Sequence, residues 1–213
     1  MSFEITLRHR VGQTDIMLDA VADGALVALS GPSGVGKTTV LNCIAGLIRP
    51  VEGRIAVGGE VLFDSAAGID LRPERRRAGY VFQDNRLFPH LRVEANLAYG
   101  ARLHPPAERW IAQDEVIAFL GIAHLLTRWP ATLSGGEARR VAIGRALLSA
   151  PKFLLMDEPL TSLDAARAEE ILRVVERIRD ELKLPILYVS HAPGEVERLT
   201  GSVIRLGEPA PLR

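Results

Sequence analysis

Gly31-Pro32-Ser33-Gly34-Val35-Gly36-Lys37-Thr38 sets four residues between two glycines and follows the second with a lysine and a hydroxyl. That spacing is the pattern of a phosphate-binding loop. Glycines let backbone N–H groups turn inward around phosphate oxygens, and the helix that follows adds the positive end of its dipole. Lys37 supplies a point charge and Thr38 a hydroxyl suited to magnesium, with Thr39 the next candidate contact. Ala25 to Leu29 is an apolar run with strand character ahead of the loop. Behind it, Val40, Leu41, Ile44, Ala45 and Ile48 place one apolar stripe on a helix that Arg49-Pro50 is expected to end. A plain glycine-rich turn would not explain why one of only three lysines, at 37, 152 and 183, stands here.

Working outward, Gly79 to Phe82, Phe153 to Met156 and Ile186 to Val189 read as further buried parallel strands. The four runs end in Ser30 and the glycine loop, in Gln83, in Asp157 with Glu158, and in Ser190 with His191. Open α/β sheets bind ligands at the carboxyl ends of their strands, so one site assembled from all four endings is expected. Ile171, Val174, Val175, Ile178 and Leu182 repeat the helical stripe, with Asp164 placed to cap its start. The stretch from about 91 to 150 lacks convincing strand runs. Its periodic segment of Trp110, Ile111, Val116, Ile117, Phe119 and Leu120 reads as part of a helical lobe inserted into the sheet domain. Gly207-Glu208-Pro209-Ala210-Pro211 reads as a chain end without regular structure.

A chain of 213 residues can bury a sizeable core in one domain. Lys plus Arg equals Asp plus Glu at 26 each, so no global field draws in nucleic acid or an anionic membrane, and partners must be recognised locally. The one basic cluster, Arg72, Arg75, Arg76 and Arg77, is interrupted by Glu74 and reads as a solvated turn. The single cysteine, Cys43, points to a reducing, cytoplasmic setting, and in itself reads as a small buried apolar residue. No apolar run approaches the length of a membrane span, and Met1-Ser2-Phe3-Glu4 carries no secretory pattern.

Phe153-Leu154-Leu155-Met156-Asp157-Glu158 supplies the second half of a nucleotide hydrolase. Asp157 would hold the magnesium shell, and Glu158 would orient the attacking water and accept its proton. Taken alone, an apolar run ending in Asp-Glu is more often a strand entering a capped turn; the phosphate loop reverses that judgement. Leu133-Ser134-Gly135-Gly136-Glu137 opens a helix running through Val141, Ala142 and Arg145. A serine hydroxyl and glycine N–H groups at a helix start form a second phosphate cradle. An ordinary N-cap would account for Ser134 but not for two adjacent glycines.

This serine-glycine opening resembles the signature of the ATPase subunits of ABC transporters. The remaining marks fall in order along nearly the whole chain: Gln83, then Ser162-Leu163-Asp164, then His191. The resemblance implies a P-loop NTPase of the ABC ATPase type, α/β, with a mainly parallel sheet core, an N-terminal antiparallel β region and an inserted helical lobe. One ABC ATPase domain would span 1–213, its catalytic core at about 1–90 and 151–213 and its signature lobe at about 91–150. It also implies that ATP lies on residues 31–39, that Lys37, Gln83, Glu158 and His191 serve catalysis, and that Thr38, Gln83 and Asp157 serve Mg2+. Gln83 would sense magnesium and the attacking water, and His191 would contact the γ-phosphate. Ser134, Gly135, Gly136 and Glu137 would meet ATP held by a second copy in a head-to-tail homodimer, with Asp164 communicating across it. Taken singly, Gln83 and Asp164 would be assigned to a turn and a cap, and His191 to a satisfied buried polar group.

Within the family, the span from Arg75 to His90, Asn96-Leu97-Ala98-Tyr99-Gly100 and Val61-Leu62-Phe63-Asp64-Ser65 are most similar to the ATPases of bacterial molybdate importers. Importers of sulfate, iron and polyamines share Leu87-Phe88-Pro89-His90 and stay open as alternatives, as does a soluble ABC ATPase acting on nucleic acid or ribosomes. The resemblance implies an integral membrane permease as partner, received near residues 86–93 and the helical lobe. A periplasmic or extracellular solute-binding protein would act indirectly, no nucleic acid would bind, and the chain would sit peripherally at the cytoplasmic face of the cell membrane. Three departures stand out. Arg8-His9-Arg10-Val11 offers no aromatic for adenine, leaving His9 or an arginine to stack. Glu137 stands where Gln is frequent. Molybdate-importer ATPases commonly continue into a C-terminal oxyanion-sensing domain, whereas this sequence stops at Arg213, leaving that domain either absent or removed and no regulation by substrate implied.

Overall fold

A computed structural model describes residues 2–102 and 105–207, so the expected chain end falls, from Glu208 on, outside the described residues. The chain begins with β1 (Ser2–Val11), β2 (Thr14–Asp23), β3 (Leu26–Ser30), α1 (Lys37–Ala45), β4 (Glu52–Val57), β5 (Glu60–Asp64), β6 (Ile69–Asp70) and α2 (Pro73–Arg76). It continues with β7 (Ala78–Val81), α3 (Val93–Ala101), α4 (Gln113–Leu120), α5 (Gly135–Leu148), β8 (Phe153–Asp157) and α6 (Ala165–Arg177). Then come β9 (Ile186–Val189), α7 (Pro193–Leu199) and β10 (Val203–Arg205). Two compact units result, Met1–Ala78 with Pro185–Arg213, and Gly79–Leu184.

In the first unit, β1 and β2 form a hairpin whose antiparallel register runs from Ser2↔Asp23 to Val11↔Thr14. Alternation sets its faces: Phe3, Ile5, Leu7, Ile16 and Leu18 are buried, while Arg8 and Met17 face out. β4, β5 and β6 extend the antiparallel sheet in the order β2-β1-β4-β5-β6. β3 instead lies between β10 and β9, parallel to both. Leu26, Val27, Ala28 and Leu29 are all buried, as a strand covered on both faces requires.

The second unit holds β7 beside β8, with the helical segments. The lobe expected over about 91–150 is all helix and connecting turns among its described residues, and α5 packs on α3, α4 and α6. Trp110 precedes α4 rather than joining it, and its indole N–H donates to the Pro151 carbonyl at 3.2 Å.

Two expectations are corrected. α1 stops at Ala45, well before Arg49-Pro50, because Gly46 takes a left-handed φ of 80° and Leu47 N–H turns back to the Asn42 carbonyl at 2.9 Å. The basic cluster is not uniformly solvated either. Arg76 is only 1% exposed, and donates to the Cys43 and Ile44 carbonyls at 2.7 and 3.0 Å, to the Leu71 carbonyl at 2.7 Å and to the Asp70 carboxylate at 2.9 Å. It therefore caps the negative end of α1 from below. Burial pushes the neighbouring Cys43 thiol up to about 11, consistent with its reading as a small apolar residue. Among the described residues no helix is long and apolar enough to cross a membrane.

Candidate functional site

Of the site residues read from sequence, the phosphate loop and His191 belong to the first unit. Gln83, the 134–137 opening, Asp157, Glu158 and Asp164 belong to the second.

The loop leaves β3 at Ser30 and enters α1 at Lys37. Gly31 and Gly36 are demanded by their surroundings. At φ 154°, a Cβ on Gly31 would lie 2.5 Å from the Leu206 carbonyl oxygen; at φ 107°, one on Gly36 would lie 2.4 Å from Ile16 Cδ1. Pro32, Ser33, Gly34 and Thr38 are exposed, while Val35, Gly36 and Thr39 are half-buried. Lys37 is 5% exposed and arches back over the loop, its ammonium donating to the Gly31 and Pro32 carbonyls at 3.0 Å each. No side chain caps the start of α1, and no acidic residue lies in its first turn. A helix start without a side-chain cap or a first-turn acid, with a lysine folded across the loop before it, is suited to an anion.

His191 follows β9 and is exposed, so its alternative assignment as a satisfied buried polar group does not describe it. Its turn is pinned from beneath. Tyr188 and Ser190 donate their hydroxyls to Glu195 Oε2 at 3.0 and 2.7 Å, and Ser190 Oγ accepts from the Ala192 N–H at 3.0 Å.

In the second unit, β8 delivers Asp157, 3% exposed, and then Glu158, half-buried at a left-handed φ of 45°. Non-glycine residues take that conformation at a cost of order 1–3 kcal/mol, and such strain clusters where side chains must be aimed. The Thr161 hydroxyl donates to Glu158 Oε2 at 3.1 Å. Burial, and the nearby Asp157 charge, push the Tyr80 phenol well above its usual range.

Ser134 caps α5, its Oγ accepting from the Glu137 N–H at 3.4 Å while Glu137 Oε2 accepts from the Ser134 N–H at 2.7 Å. The Ser134 N–H holds the Glu137 carboxyl below the usual range, with the Arg128 charge contributing from 3.2 Å. The cap reading of Ser134 is thus geometrically correct and leaves the glycines to be explained. A Cβ on Gly135 would press Leu163 Cδ2 at 3.1 Å, but one on Gly136 would meet only ordinary contacts at 3.5 Å. Asp164 caps α6, accepting from the Arg167 N–H at 2.9 Å. Gln83 is exposed, and its carbonyl together with that of Phe82 receives Arg139 of α5 at 2.8 and 2.6 Å. The structure therefore brings α5 to both the Gln83 loop and the turn before Asp164. Thr161, Glu195, Arg139 and Arg145 were not singled out from sequence as site residues. Only proximity to the motifs could have flagged them.

This fold and these motifs define a class, and the chain belongs to the ABC transporter family, whose model matches residues 16–161. The match takes in the phosphate loop, Gln83, the 134–137 opening, Asp157 and Glu158, and ends before Asp164 and His191. Among curated proteins, the chain is 55% identical over 208 residues to the Molybdenum import ATP-binding protein ModC of Mesorhizobium japonicum, covering 98% of this chain and 56% of that protein. It is 56% identical over 203 residues to the ModC of Brucella abortus, covering 95% and 56%. The chain thus spans a little over half the length of the curated relatives it matches. Among solved structures, the dimeric bacterial ABC transporter cassette MJ0796 matches with a TM-score of 0.78 at 26% identity, over 97% of this chain and 94% of that one. The cbiO1 protein of Clostridium perfringens, part of the ABC transporter complex cbiONQ, matches with a TM-score of 0.79 at 28% identity, over 96% and 84%.

Proposed function

We propose that this chain is the ATP-binding and hydrolysing subunit of a membrane importer for molybdate or a related oxyanion. The observation that carries the ATPase reading is the glycine loop with Lys37 folded over the uncapped start of α1. The molybdate reading rests on the ModC relatives alone, since the transported ion need never touch this subunit.

In this reading the loop amides and Lys37 hold the β- and γ-phosphates of ATP. The Glu158 carboxylate orients a water and takes its proton as the water oxygen bonds to the γ-phosphorus. The bond to the bridging oxygen then breaks, and ADP leaves with the electron pair. His191 donates to the γ-phosphate, and Gln83 monitors the water. Thr38, Gln83 and Asp157 offer hard oxygen donors with a single carboxylate. That set suits Mg2+ better than a transition metal, and no group of three or more His, Cys, Asp or Glu with metal-binding geometry occurs among the described residues. When bound, magnesium neutralises charge on the phosphates. Ser134, Gly135 and Gly136 meet the ATP of a second copy, which supplies a reason for glycine at 136 that packing within one chain does not. Docked on an integral permease, the pair sits at the cytoplasmic face of the membrane and serves a solute-binding protein indirectly.

The test is phosphate release from Mg-ATP by the purified protein reconstituted with the permease that copurifies with it, followed by uptake of molybdate against sulfate. Hydrolysis with molybdate uptake is expected. Nucleotide binding without any turnover would reduce the chain to a nucleotide-dependent docking module.

A further inference from the structure

The Gln83 loop is held in shape by the helix that carries the serine-glycine opening. Arg139, one turn into α5 and 2% exposed, donates to the Phe82 and Gln83 carbonyls at 2.6 and 2.8 Å. Arg145, two turns further on, donates to the Arg86 and Asn85 carbonyls at 2.6 and 3.0 Å. The four carbonyls belong to a segment outside the regular elements, and two consecutive residues in it take left-handed φ values without being glycine, Asn85 at 60° and Arg86 at 44°. Consecutive residues in that region relax unless the surroundings over-determine them. The Arg145 guanidinium holds those two carbonyls and also lies 5.0 Å from the Phe88 ring centroid. A guanidinium fork can hold two acceptors at fixed separation, which a lysine ammonium cannot do with the same geometry.

We propose that Arg139 and Arg145 form a two-point clamp that makes α5 a lever on Gln83, so that a phosphate engaged at Ser134–Gly136 sets the position of Gln83 through the backbone it grips. Both arginines are positioning residues. Neither is assigned a contact with ATP, and the inference rests on the ATPase reading above. Packing inside a protein transmits a small displacement rather than absorbing it, so a shift of α5 by a fraction of an ångström must move the clamped carbonyls or break their hydrogen bonds.

The test is a double-mutant cycle in the permease-reconstituted protein, pairing Arg139→Met with Gln83→Ala and reading kcat, the ATP concentration for half-saturation and the thermal midpoint of each variant. Arg139→Met alone should lower kcat by about 100-fold, the loss a misplaced catalytic group brings, with half-saturation moved by less than about threefold. In the Gln83→Ala background the same change should alter kcat by less than about twofold, because its effect has already been spent. Losses that multiply independently would overturn the clamp. Should Arg139→Met fail to fold, the half-buried Arg145→Met takes its place in the cycle, with Arg145→Lys expected to recover only part of the loss.

A readout independent of turnover uses the hydrolysis-blocked Glu158→Gln protein. There, ATP should slow amide hydrogen exchange across 82–88, and adding Arg139→Met or Arg145→Met should abolish that response while ATP remains bound. Unchanged ATP-dependent protection in the arginine variants would sink the proposal. A wild-type protein that bound ATP and never hydrolysed it would instead sink the functional reading, leaving the exchange result to judge the clamp.

Discussion

Lys37 and Glu158 show how one side chain can be judged by what holds it. The Lys37 ammonium rests on two carbonyls of its own loop, and a phosphate offers that ammonium a stronger, charged acceptor. Lys37→Ala should therefore weaken ATP binding by about 10- to 100-fold, the worth of a charge-assisted contact, as titration calorimetry would report. Glu158 is the converse case, since its strained backbone and the Thr161 hydroxyl position a carboxylate outside the phosphate loop. Thr161→Val keeps the shape and removes the donor. Turnover should fall by about tenfold with the ATP concentration for half-saturation unchanged, and Thr161→Ser should restore it. Equal losses in Val and Ser variants would mean that the methyl packing, not the hydroxyl, matters.

At the scale of elements, the ends of the helices carry the argument. The Glu137 carboxyl, held below its usual range by the Ser134 N–H, closes the capping box of α5. A depressed folded-state value means that this contribution is full above the ordinary glutamate range and is lost as pH falls through the folded value. Glu137→Gln keeps the cap acceptor and loses the charge, so its thermal midpoint should trail the wild type at neutral pH and converge with it only once pH has fallen below the ordinary glutamate range. Arg76 caps the far end of α1, and Arg76→Met would take a donor from the Ile44, Leu71 and Cys43 carbonyls, of which only Cys43 keeps the Gly46 N–H, costing about 2–4 kcal/mol in urea unfolding. These ends mark the limit of what was legible in the sequence. The four apolar runs and the Asp164 cap could be read because each pattern is local, and the glycine loop because few other uses would require its composition. Arg76 could not be told from Arg72 or Arg75, since its acceptors at Cys43 and Ile44 lie 33 and 32 residues away. Arg139 was hidden likewise, its acceptors lying 57 and 56 residues upstream. The stop of α1 at Gly46 was missed because Pro50 is the louder signal and the left-handed turn the earlier one.

For the whole molecule, the balance of 26 basic and 26 acidic residues leaves no net charge to hold two copies apart, so a ligand that both copies touch can decide whether they associate. ATP has the chemistry for this. In the arrangement proposed above, its triphosphate would satisfy the loop amides and Lys37 of one copy while its γ-phosphate stayed available to the Ser134–Gly136 amides of another. Hydrolysis removes that shared charge, so the pair should close with ATP and open with ADP. Glu158→Gln separates holding from cutting, because it leaves the loop intact and removes the proton acceptor. Multi-angle light scattering of this variant with Mg-ATP should give twice the 23.2 kDa of one chain, returning to a single chain with ADP or when Lys37→Ala is added. Were the variant to stay at one chain's mass with ATP demonstrably bound, the serine-glycine end of α5 would lose its partner, and the second glycine at 136 would again lack a physical reason.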